Sequence, residues 1–175
     1  MDLESMLVDS SRIIADIVAE NVGDSPEHFK KLIDLAFSGK EKIAMRASRV
    51  ATFCVQKYQH LIEPYLDRII QELPEDESIR KNFMKILAET PLKFTEEQLG
   101  ILVDKSFEIL MNDKSSIANK AYSMELLYKI SEIEPDLKNE LIPVIEEQIP
   151  TGSSGVKLIG KRLLKKLYKE TGRGK

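Results

Sequence analysis

Apolar side chains recur along this chain on two periods at once, and the longer period constrains the fold most. The short period is three to four residues, the spacing of one helix face. It runs through Ile13, Ile14, Ile17 and Val18, through Phe29, Leu32, Ile33, Ala36 and Phe37, and through Leu61, Ile62, Tyr65, Leu66, Ile69, Ile70 and Leu73. The long period relates one helix to another. Ile43, Ile79, Ile117 and Val156 stand 36, 38 and 39 residues apart. Four positions on come Ala47, Phe83, Ala121 and Gly160, then Val50, Ile86, Met124 and Leu163, then Cys54, Thr90, Tyr128 and Leu167. A second helix type keeps its own register: Phe29, Tyr65, Leu102 and Leu141, then Ile33, Ile69, Ser106 and Ile145, then Phe37, Leu73, Leu110 and Ile149. Stepping back from Ile43 finds a weaker copy in Leu7, Ser11, Ile14 and Val18.

Two helix types sharing one period of about 37–38 residues describe stacked helix pairs. One pair alone has too little to bury its apolar stripe against, and its neighbours supply the rest of the core. The spacing predicts an all-α chain of about nine helices. They form four pairs over residues 5–38, 40–74, 76–112 and 114–150, with a terminal helix at 153–170, all in one domain over 1–175. A plain helical bundle also shows helix-period stripes, but it has no reason to keep two helix types in matching register.

The breaks between helices have the right chemistry. Asp24-Ser25-Pro26 offers a capping side chain and a proline for the first turn, where a missing N–H costs nothing. Thr95-Glu96-Glu97-Gln98 has the form of a capping box. Gly39, Pro74, Pro91, Pro135 and Pro150-Thr-Gly152 mark other junctions. Pro143 falls inside a helical pattern and predicts a kink or a delayed start. Ala47, Ala121 and Gly160 are small, which lets neighbouring helices approach, whereas Phe83 at the same register predicts a looser or shifted unit.

Asp76-Glu-Ser-Ile79-Arg80 resembles the start of the first helix in the HEAT repeat family and, by extension, armadillo repeats. Asp113-Lys-Ser-Ser-Ile117 keeps the acid and the aliphatic residue but has Ala118 in place of the arginine. Ser154-Gly-Val156-Lys157 keeps the aliphatic residue and a basic one, and Ile43-Ala-Met-Arg46 displaces the arginine. The resemblance spans about Asp9 to Lys169. It implies a right-handed α-α superhelix and a non-enzymatic interaction scaffold. One similar branch, the helical-repeat DNA glycosylases, is enzymatic.

Composition narrows the function classes. Trp is absent and aromatics make up 6%, thin for a large ligand pocket or a base-stacking surface. The single Cys54 cannot form an internal disulfide, and the acidic Met1–Ser5 opening has no signal-peptide character, which points to the cytoplasm. No run approaches 18 apolar residues, so no membrane span is expected. Neither a cofactor nor a metal is expected. His28 and His60 fit no ligand spacing, and Cys54 sits at a core register. The acid pair Glu96-Glu97 suits a first helical turn, and Glu146-Glu147 points away from Ile145 and Ile149, so both read as solvated surface rather than acid–base machinery.

Two polar features remain. Residues 153–175 hold eight bases and one acid, a net +7 against −10 elsewhere. In the amphipathic terminal helix Lys157, Lys161, Arg162 and Lys165 are candidates for an acidic partner or an anion, the latter helped by the Thr151–Gly155 loop. A polar cap on the last repeat is the simpler reading. The other feature is a ridge on the second helices, Glu63, Asp67, Gln71, Asp104, Glu108, Asn139 and Glu147, acidic across three repeats and suited to a basic protein or peptide. Nucleic-acid binding or alkylation repair is the alternative, disfavoured because phosphate contact demands a basic surface. A structural or oligomerisation role is the third. The oligomeric state is not specified by these patterns.

Overall fold

The computed structural model describes residues 1–174. Among them are ten α-helices, one 3-10 segment and no strand. The helices are α1 (Leu3–Met6), α2 (Arg12–Val22), α3 (Pro26–Ala36), α4 (Glu41–Lys57), α5 (Leu66–Gln71), α6 (Glu77–Glu89), α7 (Glu96–Met111), α8 (Ile117–Ser131), α9 (Leu137–Thr151) and α10 (Ser154–Glu170). The 3-10 segment, Gln59–Tyr65, precedes α5. No helix among the described residues is long and apolar enough to cross a membrane.

Most helix starts follow the sequence chemistry. Ser25 caps α3 with Pro26 in its first turn, and Thr95 with Gln98 closes the capping box of α7. Asp76 caps α6 by accepting from the amides of Ser78 and Ile79, both at 2.9 Å. The start of α8 differs. Its cap is Ser116, accepting from the Asn119 amide, rather than Asp113.

Three expectations change. The four-residue α1 adds a helix too short to show periodicity. The second helix of the second pair divides into the 3-10 segment and α5, because Pro64 has no amide to donate and its ring opposes the carbonyl one turn back. Finally, α9 starts well before Pro143 and runs through both Pro143 and Pro150, so the start is not delayed and the junction lies after Thr151.

The chain forms two compact units, Met1–Leu92 and Lys93–Lys175. The boundary falls between α6 and α7, within the third predicted pair. In the first unit α3, α2 and α6 all pack on α4. Phe29, Leu32 and Ile33 of α3, Ala47 and Ala51 of α4 and Ile69 of α5 are fully or almost fully buried there. Phe83 is also fully buried, which removes the looseness expected at this register. Its ring stacks on Phe37 with centroids 5.1 Å apart and planes 24° apart, and the Arg68 guanidinium lies 4.5 Å over the Phe37 ring. A polar seam joins α4 to α6, where buried Asn82 donates to Ser48 Oγ at 2.9 Å.

In the second unit α8 packs on α7, α9 and α10, and α9 packs on α10. Leu102, Leu110, Met124, Leu127, Ile145, Leu163 and Leu167 fill the core. Gly160 lets α10 approach closely. A Cβ there would stand 2.8 Å from Ile149 Cδ1 and 3.2 Å from Ile145 Cγ2. Two tyrosines tie the margins: Tyr128 donates to Glu170 at 2.6 Å, and Tyr168 donates to Glu146. Glu146 is therefore engaged rather than simply solvated.

Candidate functional site

The capping box sets the start of α7, and with it the phase of the helix. Glu96, Leu99, Gly100, Val103 and Asp104 then fall on one stripe at helical spacing. This stripe is one wall of a groove of about 490 Å³ within the second unit. The other wall comes from Ile130 at the end of α8, Glu134 and Asp136 in the following turn, and Leu137 and Glu140 at the start of α9. The turn is fixed by its own backbone. Ile133 and Glu134 amides both donate to the Ile130 carbonyl at 2.9 Å, and the Leu137 amide donates to the Glu134 carbonyl at 3.0 Å.

The groove has an apolar floor and an acidic rim. Leu99, Ile130 and Leu137 are buried, and Val103 is half-buried. Nothing lies within 4 Å of a Cβ built on Gly100, so this wall is open at its middle. Glu96, Asp104, Glu134, Asp136 and Glu140 are all exposed, and none belongs to an ion pair among the described residues. No lysine or arginine lines the groove. Beside it, Ile133 is 56% exposed.

Of the ridge residues, only Asp104 enters this groove. Glu108 is exposed one turn further along α7, beside Lys105, whose pKa burial lowers. Asn139 is occupied, accepting from Arg173 Nη2 at 3.1 Å. Glu147 is exposed on α9. In the first unit Glu63 is exposed in the 3-10 segment, and Asp67 and Gln71 are exposed on α5. The four further groove acids escape register reasoning. Glu96 looks like ordinary first-turn charge, and Glu134 and Asp136 lie in a turn, outside any helical stripe. A tighter signal is the run Glu132-Ile-Glu134-Pro135-Asp136, which places three acids around one junction.

The basic candidates separate too. Lys161 and Lys165 are exposed, Lys157 is half-buried, and Arg162 is paired with Glu125. The Thr151–Gly155 loop is a tight linker. Ser153 caps α10 by accepting from the Val156 amide at 3.3 Å, and a Cβ on Gly152 would stand 2.4 Å from the Gln148 carbonyl oxygen. The adjoining cleft includes Asp113, Lys120 and Gln148 but not Lys157, and Lys120 Nζ donates to Gln148 at 2.9 Å.

Cys54 is 1% exposed and burial pushes its thiol up to about 12, the opposite of a reactive cysteine. His60 Nε2 lies 2.7 Å from Asp24 Oδ1. No group of His, Cys, Asp and Glu among the described residues could hold a metal ion.

The chain matches the model of the HEAT repeat domain family over residues 5–167. No curated protein and no solved structure matches the chain significantly.

Proposed function

Because the chain belongs to the HEAT repeat family, whose members generally mediate protein interactions, we propose that it is a non-enzymatic binding module for a basic, amphipathic segment of another protein. The groove between α7 and the α8–α9 turn is the recognition surface of this reading. The observation that carries it is the pairing of an apolar floor with five unpaired carboxylates and no lining cation. A segment with lysine or arginine flanking one or two aliphatic residues satisfies both features. Its charges accelerate encounter, and its apolar residues cover Leu99, Val103 and Leu137. Asp104 is the ridge residue this reading retains at the centre, and Glu108 extends the same helix face. Asn139 and Glu147 of α9 are secondary contacts in it, whereas Glu63, Asp67 and Gln71 belong to the first unit and have no part in it. A nucleic acid would meet the wrong sign of charge at this surface.

The test uses a labelled amphipathic helical peptide of leucine and lysine, with a leucine–glutamate peptide as control. Titration into isotopically labelled protein is expected to move the Gly100 and Val103 amides. Asp104→Lys with Glu140→Lys is expected to weaken binding about tenfold or more, roughly 1.4 kcal/mol. Binding that maps elsewhere, or that survives the double reversal unchanged, removes the groove from consideration.

A further inference from the structure

Helices α2 and α10 each carry an outward face that combines exposed apolar side chains with charged ones. At 100° per residue, the buried positions of α2, Ala15, Val18 and Val22, lie opposite Ile13 and Ile17. Those two isoleucines are 71% and 47% exposed. Asp16 and Glu20 share their stripe. On α10 the buried positions Gly160, Leu163 and Leu167 lie opposite Leu158, which is 72% exposed, and Lys161 and Lys165. Of the other first helices, α4 and α6 show no large exposed apolar side chain among the described residues, and α8 shows Ile117, 55% exposed at its first position.

The two faces complement each other in both chemistries. On α2 two isoleucines lie beside two acids, on α10 Leu158 lies beside two lysines, and the charges have opposite sign. The acids are only loosely engaged, Asp16 with Arg12 at 3.7 Å and Glu20 with Lys57 at 3.5 Å, both on exposed side chains where such pairs contribute little. Lys161 and Lys165 have no ion pair among the described residues.

We infer that copies of this chain associate head to tail, the α2 face of one copy packing on the α10 face of the next. Ile13 and Ile17 cover Leu158, while Asp16 and Glu20 meet Lys161 and Lys165. Both halves of the interface belong to one polypeptide, so a second copy always presents the complement. Pairing like faces is disfavoured, since α2 on α2 opposes acids to acids and α10 on α10 opposes lysines to lysines. The contact is therefore heterologous, and it extends into an open chain or closes into a ring. This inference does not depend on the groove.

Sedimentation across a concentration series at low salt tests it. The mass of the unaltered protein is expected to rise above the 19.9 kDa of one chain with concentration and to fall back as salt screens the charges. Ile13→Lys with Ile17→Lys, and separately Leu158→Glu, place wrong-sign charge in each face. Each variant alone is expected to be monomeric. Mixed in equal amounts, they retain one good face apiece and their altered faces carry opposite charge, so the mixture is expected to regain the association that neither variant shows alone. Circular dichroism checks folding. Should either variant unfold, the exposed charge reversals Asp16→Lys/Glu20→Lys and Lys161→Glu/Lys165→Glu repeat the mixing test. A protein that stays monomeric at every concentration overturns the inference. So does an assembly that survives either variant, or a mixture that fails to pair.

Discussion

The two compact units solve the same packing problem by opposite means. At the fourth position of the first-helix register each unit has one alanine, Ala47 or Ala121, and one departure from it, Phe83 in the first unit and Gly160 in the second. Phe83 is accommodated because Phe37 offers a parallel ring and Arg68 lies over that ring. Gly160 removes the side chain, and Ile149 and Ile145 move into the space. Two sets of buried side-chain polar groups, one in each unit, also differ. The first unit satisfies Asn82 through Ser48, whereas in the second the Ser106 and Ser123 hydroxyls are fully buried and have no protein hydrogen-bond partner among the described residues. The register thus specifies where two helices meet, while the residues at the meeting point set how close they come.

The largest effect should come from breaking the ring stack. Phe83→Ala is expected to cost about 3–5 kcal/mol in urea unfolding, since a buried aromatic leaves a cavity its rigid neighbours cannot fill. The reciprocal change, Gly160→Phe, is expected to cost about 1–3 kcal/mol or more through overpacking. Gly160→Ala sharpens the contrast. The nearest obstructing atom is the terminal Cδ1 methyl of Ile149, and the gain of about 1 kcal/mol in helix propensity offsets much of the crowding, so the net change should stay within about 1 kcal/mol. A large loss in Gly160→Ala would show that the approach of α10 is rigid.

The polar seam should give the next effect. Asn82→Ala strips Ser48 of a buried donor and is expected to destabilise by about 1–3 kcal/mol. Ser123→Ala in the second unit should have the opposite sign, a gain of up to about 1 kcal/mol, because it removes a buried hydroxyl that has no partner among the described residues. Equal losses at both sites would erase the distinction.

Alkaline titration should separate the units by their onset. Burial raises the Cys54 thiol from 9.0 to about 12. Its stabilising contribution is complete below pH 9 and is lost as pH climbs from there toward 12. Burial first, and then the hydrogen bond to Glu170, raise Tyr128 from 10.0 to about 12, so its contribution is lost from pH 10 upward. Unfolding midpoints followed from pH 8 to 12 should lose the earlier onset in Cys54→Ala and the later one in Tyr128→Phe. If neither variant changes the profile, the two groups are not what limits alkaline stability.

Much of this fold was legible because apolar registers need only one residue type every three or four positions. The capping residues at Ser25, Asp76 and Thr95 then fixed the starts. Legibility failed where backbone chemistry overrode the pattern. Pro64 turned the start of a helix into a 3-10 segment although its apolar stripe is intact, and α9 tolerated Pro150 where a break was expected. The site was half legible. Asp104 emerged from its register, but a groove is made by two elements, and register describes one at a time. Glu134 and Asp136 become its rim only once the α8–α9 turn meets the start of α7.

The ring stack has a consequence for modularity. Repeats related by a common register look like parts that could be exchanged, deleted or copied. Phe83, however, is keyed to Phe37, and Phe37 to Arg68, residues of the two preceding repeats. Transplanting α6 elsewhere would carry a ring into a place without its slot, and replacing it with α8 or α10 would leave that slot empty. The chain is periodic in its grammar but not in its vocabulary, and a shortened or lengthened version would need the seam at Phe83 rewritten.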